Sequence, residues 1–240
     1  MTVLDPNYDP TTDGAMRKAG VAAVRPRDAA TLIVVRRDGP QARVLMGRRS
    51  KGHDFMPGKW VFPGGRVDPA DARAPSATEL APEVAAKLAL TLPPRRPALG
   101  RALALAAVRE TFEEVGLLLA KPALTRPGAG PWRAFLAQGA APDLAALRFV
   151  ARAITPPYRP KRFDARFFMA DAEALVSLER APDCGELDEI AWVDMAEALA
   201  LDLPNITRFV LGDVAERLDD PERPIPFMRF QAGARRLEHL

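Results

Sequence analysis

The chain has 240 residues, is 48% hydrophobic and carries a formal net charge of only +3, enough apolar mass for one full core with or without an elaboration. Its Lys and Arg residues are spread along the chain, which excludes the dense basic track of a general nucleic-acid binder, and no stretch reaches the roughly 20 apolar residues of a membrane span. The single cysteine, Cys184, excludes an internal disulfide and a cysteine-rich zinc site; with no secretory pattern in residues 1–10, it points to a reducing, cytoplasmic compartment.

Residues 1–27 show little periodicity and read as an N-terminal arm. Residues 30–36 (ATLIVVR) are apolar and β-branched, as a buried strand requires. Asp38-Gly39-Pro40 is a turn, and residues 43–49 form the second strand of a hairpin. A loop over 50–59 leads to a short strand, 60–63, which runs into the Gly64-Gly65 turn. Residues 72–101 have their own, mainly helical character. Ser76 and Glu79 are spaced as a capping box for a helical turn over 76–80. Pro82 suits the first turn of an Ala-rich helix over 82–90, and the Pro-rich 91–97 ends it. A longer helix is expected over 99–120, where Ala and Leu dominate and no Pro interrupts.

Short helices follow over 131–138 and 142–147, then a strand over 149–154. A Pro-rich loop at 155–160 precedes an aromatic strand over 162–170. The last strand is 187–193, followed by a helical turn at 194–200 and a helix over 205–218 with Asn205 as its cap. Residues 221–240 read as a C-terminal tail. Strands and helices alternate irregularly, which implies an α/β layered fold with a mixed sheet.

The stretch that carries chemistry is Arg109-Glu110-Thr111-Phe112-Glu113-Glu114-Val115-Gly116-Leu117. On a helix, Leu105, Val108, Phe112, Val115 and Leu119 share one face. Glu110, Glu113 and Glu114 lie roughly opposite, at i, i+3 and i+4. Three carboxylates on adjoining turns repel one another unless something positive sits between them. Arg109 neutralises part of that charge, and a hard divalent cation with oxygen ligands, Mg²⁺ or Mn²⁺, would neutralise more. The competing reading is a solvated acidic helix face. Two basic clusters, Arg48, Arg49, Lys51 and His53 in one and Arg159, Lys161 and Arg162 in the other, are candidates to meet substrate phosphates.

Together with Phe62-Pro63-Gly64-Gly65-Arg66-Val67-Asp68, the acidic stretch resembles the Nudix hydrolase signature, Gx5Ex7REUxEExGU with U a bulky aliphatic residue. From Arg109 to Gly116 every fixed residue of that signature is met, with Thr111 at the first U. Asp71 stands where the signature has its first Glu. Arg109 follows Gly65 by 44 residues, so the signature is split by a long insertion, residues 72–101. The phrase RRSKGHDFMPGKWVFPGGRVDPAD, the insertion, and Thr155-Pro156 followed by Arg162-Phe163-Asp164 resemble the peroxisomal-type coenzyme A diphosphatase branch of that family.

The resemblance implies a Nudix-type α/β/α sandwich with a mixed sheet over 28–220. It implies metal binding by Glu110, Glu113, Glu114 and the Gly64 carbonyl, with Arg109 orienting the carboxylates. Gly65 would let a diphosphate approach, and Glu186 or Glu189 would supply an extra carboxylate. The implied activity is Mg²⁺-dependent cleavage of the diphosphate in a nucleoside diphosphate derivative, coenzyme A or acyl-coenzyme A among them. ADP-ribose or dinucleotide cleavage and a catalytically silent nucleotide sensor are the alternatives. The expected partner is a small-molecule nucleotide, with no nucleic acid and no membrane, and a homodimer is left open. The insertion is expected outside the core, on the substrate or dimer side.

Overall fold

In the computed structural model the described residues are 16, 18, 20–52, 56–124, 128–180, 187–231 and 234–240. His53, Cys184 and Glu186 lie outside them. Strands β1 (Arg27–Arg36), β2 (Arg43–Arg48), β3 (Trp60–Val61) and β4 (Gly64–Arg66) come first. Helices α1 (Pro82–Ala89) and α2 (Leu99–Val115) follow. The short strands β5 (Ala120–Pro122) and β6 (Ala140–Pro142) pair with each other and flank a single turn, α3 (Arg133–Leu136). Then come β7 (Arg148–Ile154), β8 (Phe163–Asp171), β9 (Glu189–Asp194), α4 (Met195–Ala198), α5 (Asn205–Asp219), β10 (Pro226–Gln231) and β11 (Ala234–His239).

Among the described residues, nine strands form one mixed sheet in the order β11-β10-β7-β8-β1-β2-β3, with β4 on β1 and β9 on β2. β1 runs parallel to β8 and antiparallel to β2 and β4. Its run of β-branched residues is buried on both faces, as a central strand with parallel pairing requires. Leu32 and Val34 pack against α2 on one side, and Ile33 and Val35 against α5 on the other. The fold is therefore an α/β sandwich with helices on both faces of a mixed sheet. Among the described residues no helix is long and apolar enough to cross a membrane.

α2 departs from the expected one-sided helix. Residues 103–108 are fully buried, because α1 and the α3 region cover the side turned away from the sheet. Phe112 meets Phe135 edge-on, with ring centroids 5.3 Å apart. Each such Leu, Val or Phe contributes up to about 1.5–3 kcal/mol. The helix also stops earlier than the composition suggests. Gly116 adopts φ 79°, and its N–H donates to the Phe112 carbonyl at 2.8 Å. That left-handed cap fits glycine and ends α2 before Leu117.

The insertion differs from its expectation too. Ala74, Val84, Leu88 and Leu99 belong to the core beside α2, so this segment helps to complete the domain. Residues 76–80 form no helical turn. The Ser76 hydroxyl donates to Glu79 at 2.7 Å, and Arg101 holds Ser76, Glu79 and the Ala74 carbonyl. Residues 142–147 give only a 3₁₀ turn, Leu144–Ala146. Pro204, not Asn205, takes the cap position of α5. The expected tail instead contains the β10–β11 hairpin, with β10 laid parallel on β7.

Candidate active site

The site lies where α2 passes the double glycine. β4 pairs with β1 through Thr31–Gly64, Ala30–Gly65 and Ala29–Arg66, which holds the glycines against the helix. A Cβ on Gly64 would stand 2.5 Å from the Ala30 carbonyl oxygen. A Cβ on Gly65 would fall closer than 3.0 Å to the Glu110 carboxylate. Gly64 thus needs glycine for space, whereas at Gly65 a side chain would push the Glu110 carboxylate aside. The Gly64 N–H donates to Glu114 Oε2 at 2.8 Å, and Glu114 is 6% exposed.

Arg109 is the centre of the charge arrangement. Its Nε and Nη2 donate to Asp71 at 2.9 and 3.1 Å, and its Nη2 also donates to the Arg66 carbonyl at 3.0 Å. Its Nη1 lies 2.9 Å from Glu110 and 2.7 Å from Glu113. Burial alone would lower the Arg109 pKa, but Asp71, Glu110 and Glu113 together hold it above its ordinary value. Burial pushes the Glu110 carboxyl up; Arg109 opposes this, and Glu113 and Asp71 add to the rise. Three carboxylates share one guanidinium, so the site carries excess negative charge.

Asp71 is fully buried in a 3₁₀ turn and also accepts from Trp132 Nε1 at 3.0 Å and the Asp68 N–H at 2.7 Å. It anchors Arg109. The sequence marked the position as the counterpart of the first signature Glu, but nothing local pointed to Trp132. Among the described residues no three His, Cys, Asp or Glu side chains converge as a preformed metal cluster. The carboxylates are turned instead onto the donors around them, as mutually repelling groups will be. Their hard oxygens are nevertheless the donor set that Mg²⁺ or Mn²⁺ takes.

A cleft of about 1950 Å³ opens from this point. Gly64, Gly65, Glu110 and Glu114 line its acidic end. The insertion loop at 90–99, the end of β7, the start of β8 and of α5, and the C-terminal hairpin line the remainder. Arg49, Arg159 and Arg162 reach this cleft. The Arg162 Nε and Nη1 donate to the carbonyls of Thr155 and Val24 at 2.9 and 2.8 Å, so that side chain also ties down the arm. Arg159 is 3% exposed, with its guanidinium 5.6 Å from the Tyr158 ring.

Arg48 and Glu189 engage each other. They are register partners on β2 and β9 and form an ion pair at 2.9 Å, outside the cleft lining. Lys51 is an exposed turn residue that is also absent from that lining. His53 and Glu186 fall outside the described residues. Arg95, Arg96, Arg152 and Arg166 line the cleft without having been singled out in the sequence. No spacing rule marks them, because strand pairing brings Arg152 and Arg166 together and the insertion loop carries Arg95 and Arg96 to them.

Residues 25–211 match the model of the NUDIX domain. The chain is 33% identical to a NUDIX hydrolase from Alicyclobacillus acidocaldarius of known crystal structure, with a TM-score of 0.58, covering 80% of this chain and 92% of that one. It is 28% identical over 187 residues to the putative nudix hydrolase 7 of Caenorhabditis elegans, covering 72% of this chain and 53% of the relative. It is also 28% identical over 210 residues to the human acyl-coenzyme A diphosphatase NUDT19, covering 65% of this chain and 54% of the relative. The chain thus spans about half the length of these curated relatives.

Proposed function

The chain belongs to the Nudix family, and on that premise we propose that it is a Mg²⁺- or Mn²⁺-dependent hydrolase cleaving the diphosphate of coenzyme A or an acyl-coenzyme A. The observation that carries the reaction class is the convergence of Glu110 and Glu113 on Arg109, with Glu114 held by the Gly64 N–H beside them. The substrate reading is supported by the similarity to a relative named as an acyl-coenzyme A diphosphatase and by the phrase at 48–71.

Bound among Glu110, Glu113, Glu114 and the Gly64 carbonyl, a divalent cation supplies charge neutralisation for the diphosphate oxygens and a water of lowered pKa. Glu110 accepts the proton of the attacking water. Arg109 fixes the carboxylates through a planar fork that Lys would not offer. The two glycines leave room for the diphosphate at the backbone.

Hydrolysis of a panel of coenzyme A, ADP-ribose and a dinucleotide, with product identification, tests this. Release of 3′,5′-ADP and phosphopantetheine from coenzyme A, dependent on Mg²⁺, is the expected result. Turnover of ADP-ribose or the dinucleotide alone would reject the substrate and keep the reaction class.

Gly65→Ala is expected to fold and to lose about a hundredfold in kcat, because its Cβ displaces the Glu110 carboxylate. Unchanged kcat would place the proton acceptor elsewhere.

At pH 8 and a hundredfold excess over the Kd at that pH, Mg²⁺ is expected to stabilise the protein by about 2.7 kcal/mol, and the same Mg²⁺ concentration is expected to stabilise it less at pH 5. The sign follows from Glu110. Its folded-state pKa is raised, so its contribution to stability is present below the ordinary Glu value and lost as pH rises through the folded one. A cation offsets that loss. Equal stabilisation by Mg²⁺ at both pH values in thermal melts would contradict the assignment.

A further inference from the structure

A strip of charge crosses the α2-facing side of the sheet beyond the acidic end of the cleft. Arg152 on β7 and Arg166 on β8 are register partners. Arg166 is also the partner of Ala30 on β1, which in turn pairs with Gly65 on β4. Partners across a ladder share a face, and strands lie about 4.8 Å apart, so the Arg166 backbone is about 10 Å from Gly65. Ion pairs run along the strip: Arg96–Asp28 at 2.6 Å, Arg166–Asp28 at 3.5 Å, Arg166–Asp164 at 3.0 Å and Arg152–Asp164 at 2.8 Å.

Three guanidiniums here share two carboxylates, which leaves one positive charge in excess. Arg166 is 1% exposed, and its Nε has no hydrogen-bond partner among the described residues. Burial pulls its pKa down against the attraction of Asp164. A desolvated cation left short of negative charge is costly, and an anion arriving beside it relieves the cost. The insertion forms the roof. Its Thr91 carbonyl accepts from Arg166 Nη2 at 3.0 Å, and Arg96 binds Asp28. Arg95 beside it is exposed, lines the cleft and has no ion pair among the described residues, so it adds a second positive charge.

Resting on the diphosphatase reading, we propose that this strip and its roof form a second anion subsite, which takes a phosphate monoester carried on the nucleoside of the substrate. The acidic end of the cleft handles the diphosphate; the arginine strip handles the additional phosphate on the far side of the sugar. The insertion that splits the signature is then a specificity element. Guanidiniums suit the role because they offer a phosphate paired, charge-assisted hydrogen bonds.

Calorimetric titration of the full chain with 3′,5′-ADP and with 5′-AMP, without metal, tests the subsite. The bisphosphate is expected to bind about ten- to a hundredfold tighter. Arg95→Gln alone leaves every ion pair of the strip in place, and it is expected to reduce that preference severalfold with 5′-AMP affinity unchanged. Adding Arg96→Gln is expected to bring the total reduction to about tenfold or more. Equal binding of the two nucleotides, or an undiminished preference in both variants, would overturn the proposal. No turnover is read, so the two readings fail separately. A preference in a chain that hydrolyses nothing upholds the subsite and rejects the reaction. Hydrolysis without a preference does the reverse.

Discussion

Glu114→Gln is expected to fold normally and to lose about 10²- to 10³-fold in kcat, which corresponds to several kcal/mol of lost transition-state stabilisation. Gln is a good helix former, and its side-chain oxygen can still accept from the Gly64 N–H. The substitution therefore removes a charge and little else. Steady-state turnover at saturating Mg²⁺ is the measurement, with an unchanged melting temperature as the control for folding. Near-normal turnover would remove Glu114 from the proposed metal site. Glu189→Gln serves as the contrast and is expected to turn over normally, since Glu189 is engaged with Arg48 outside the cleft.

Asp71→Ala acts on the fold itself. It strips a buried guanidinium and a buried indole N–H of a shared acceptor. Breaking a buried ion pair from one side costs about 3–5 kcal/mol, and at this chain length each kcal/mol moves Tm by about 2–4 °C. A fall of about 6–20 °C is expected, with Asp71→Asn losing less because it keeps the shape and one acceptor. A fall below about 3 °C for the alanine variant would mean that Arg109 finds its anchor elsewhere.

The parts of this molecule that were legible in the sequence are those whose cause is local. β1 announces itself through a β-branched run, and α2 through its Ala and Leu content. The carboxylate spacing on α2 and the double glycine marked the acidic end of the cleft. The end of α2 was misjudged because Leu117, Leu118 and Leu119 favour a helix, whereas Gly116 takes the left-handed cap and the chain leaves for β5. The anchoring role of Asp71 depends on Trp132, and the engagement of Glu189 on the register of β2 with β9. Neither pairing leaves a trace in spacing along the chain. The insertion was misread for a related reason: the apolar stripe of α1 was visible, but the surface it covers belongs to α2 and β7.

The hairpin of β10 and β11 has a consequence for how this sheet meets other molecules. Without it, β7 would present unpaired backbone groups at the margin of a large apolar sheet, a template for any passing strand. With it, the outermost strand among the described residues is β11, which carries Arg235, Arg236, Glu238 and His239. Arg229 on β10 pairs with Glu238 at 2.7 Å, and such charges are costly to bury against a second sheet. The same hairpin that brings Phe230 and Arg235 to the cleft therefore also covers the β7 edge, with a charged strand outermost.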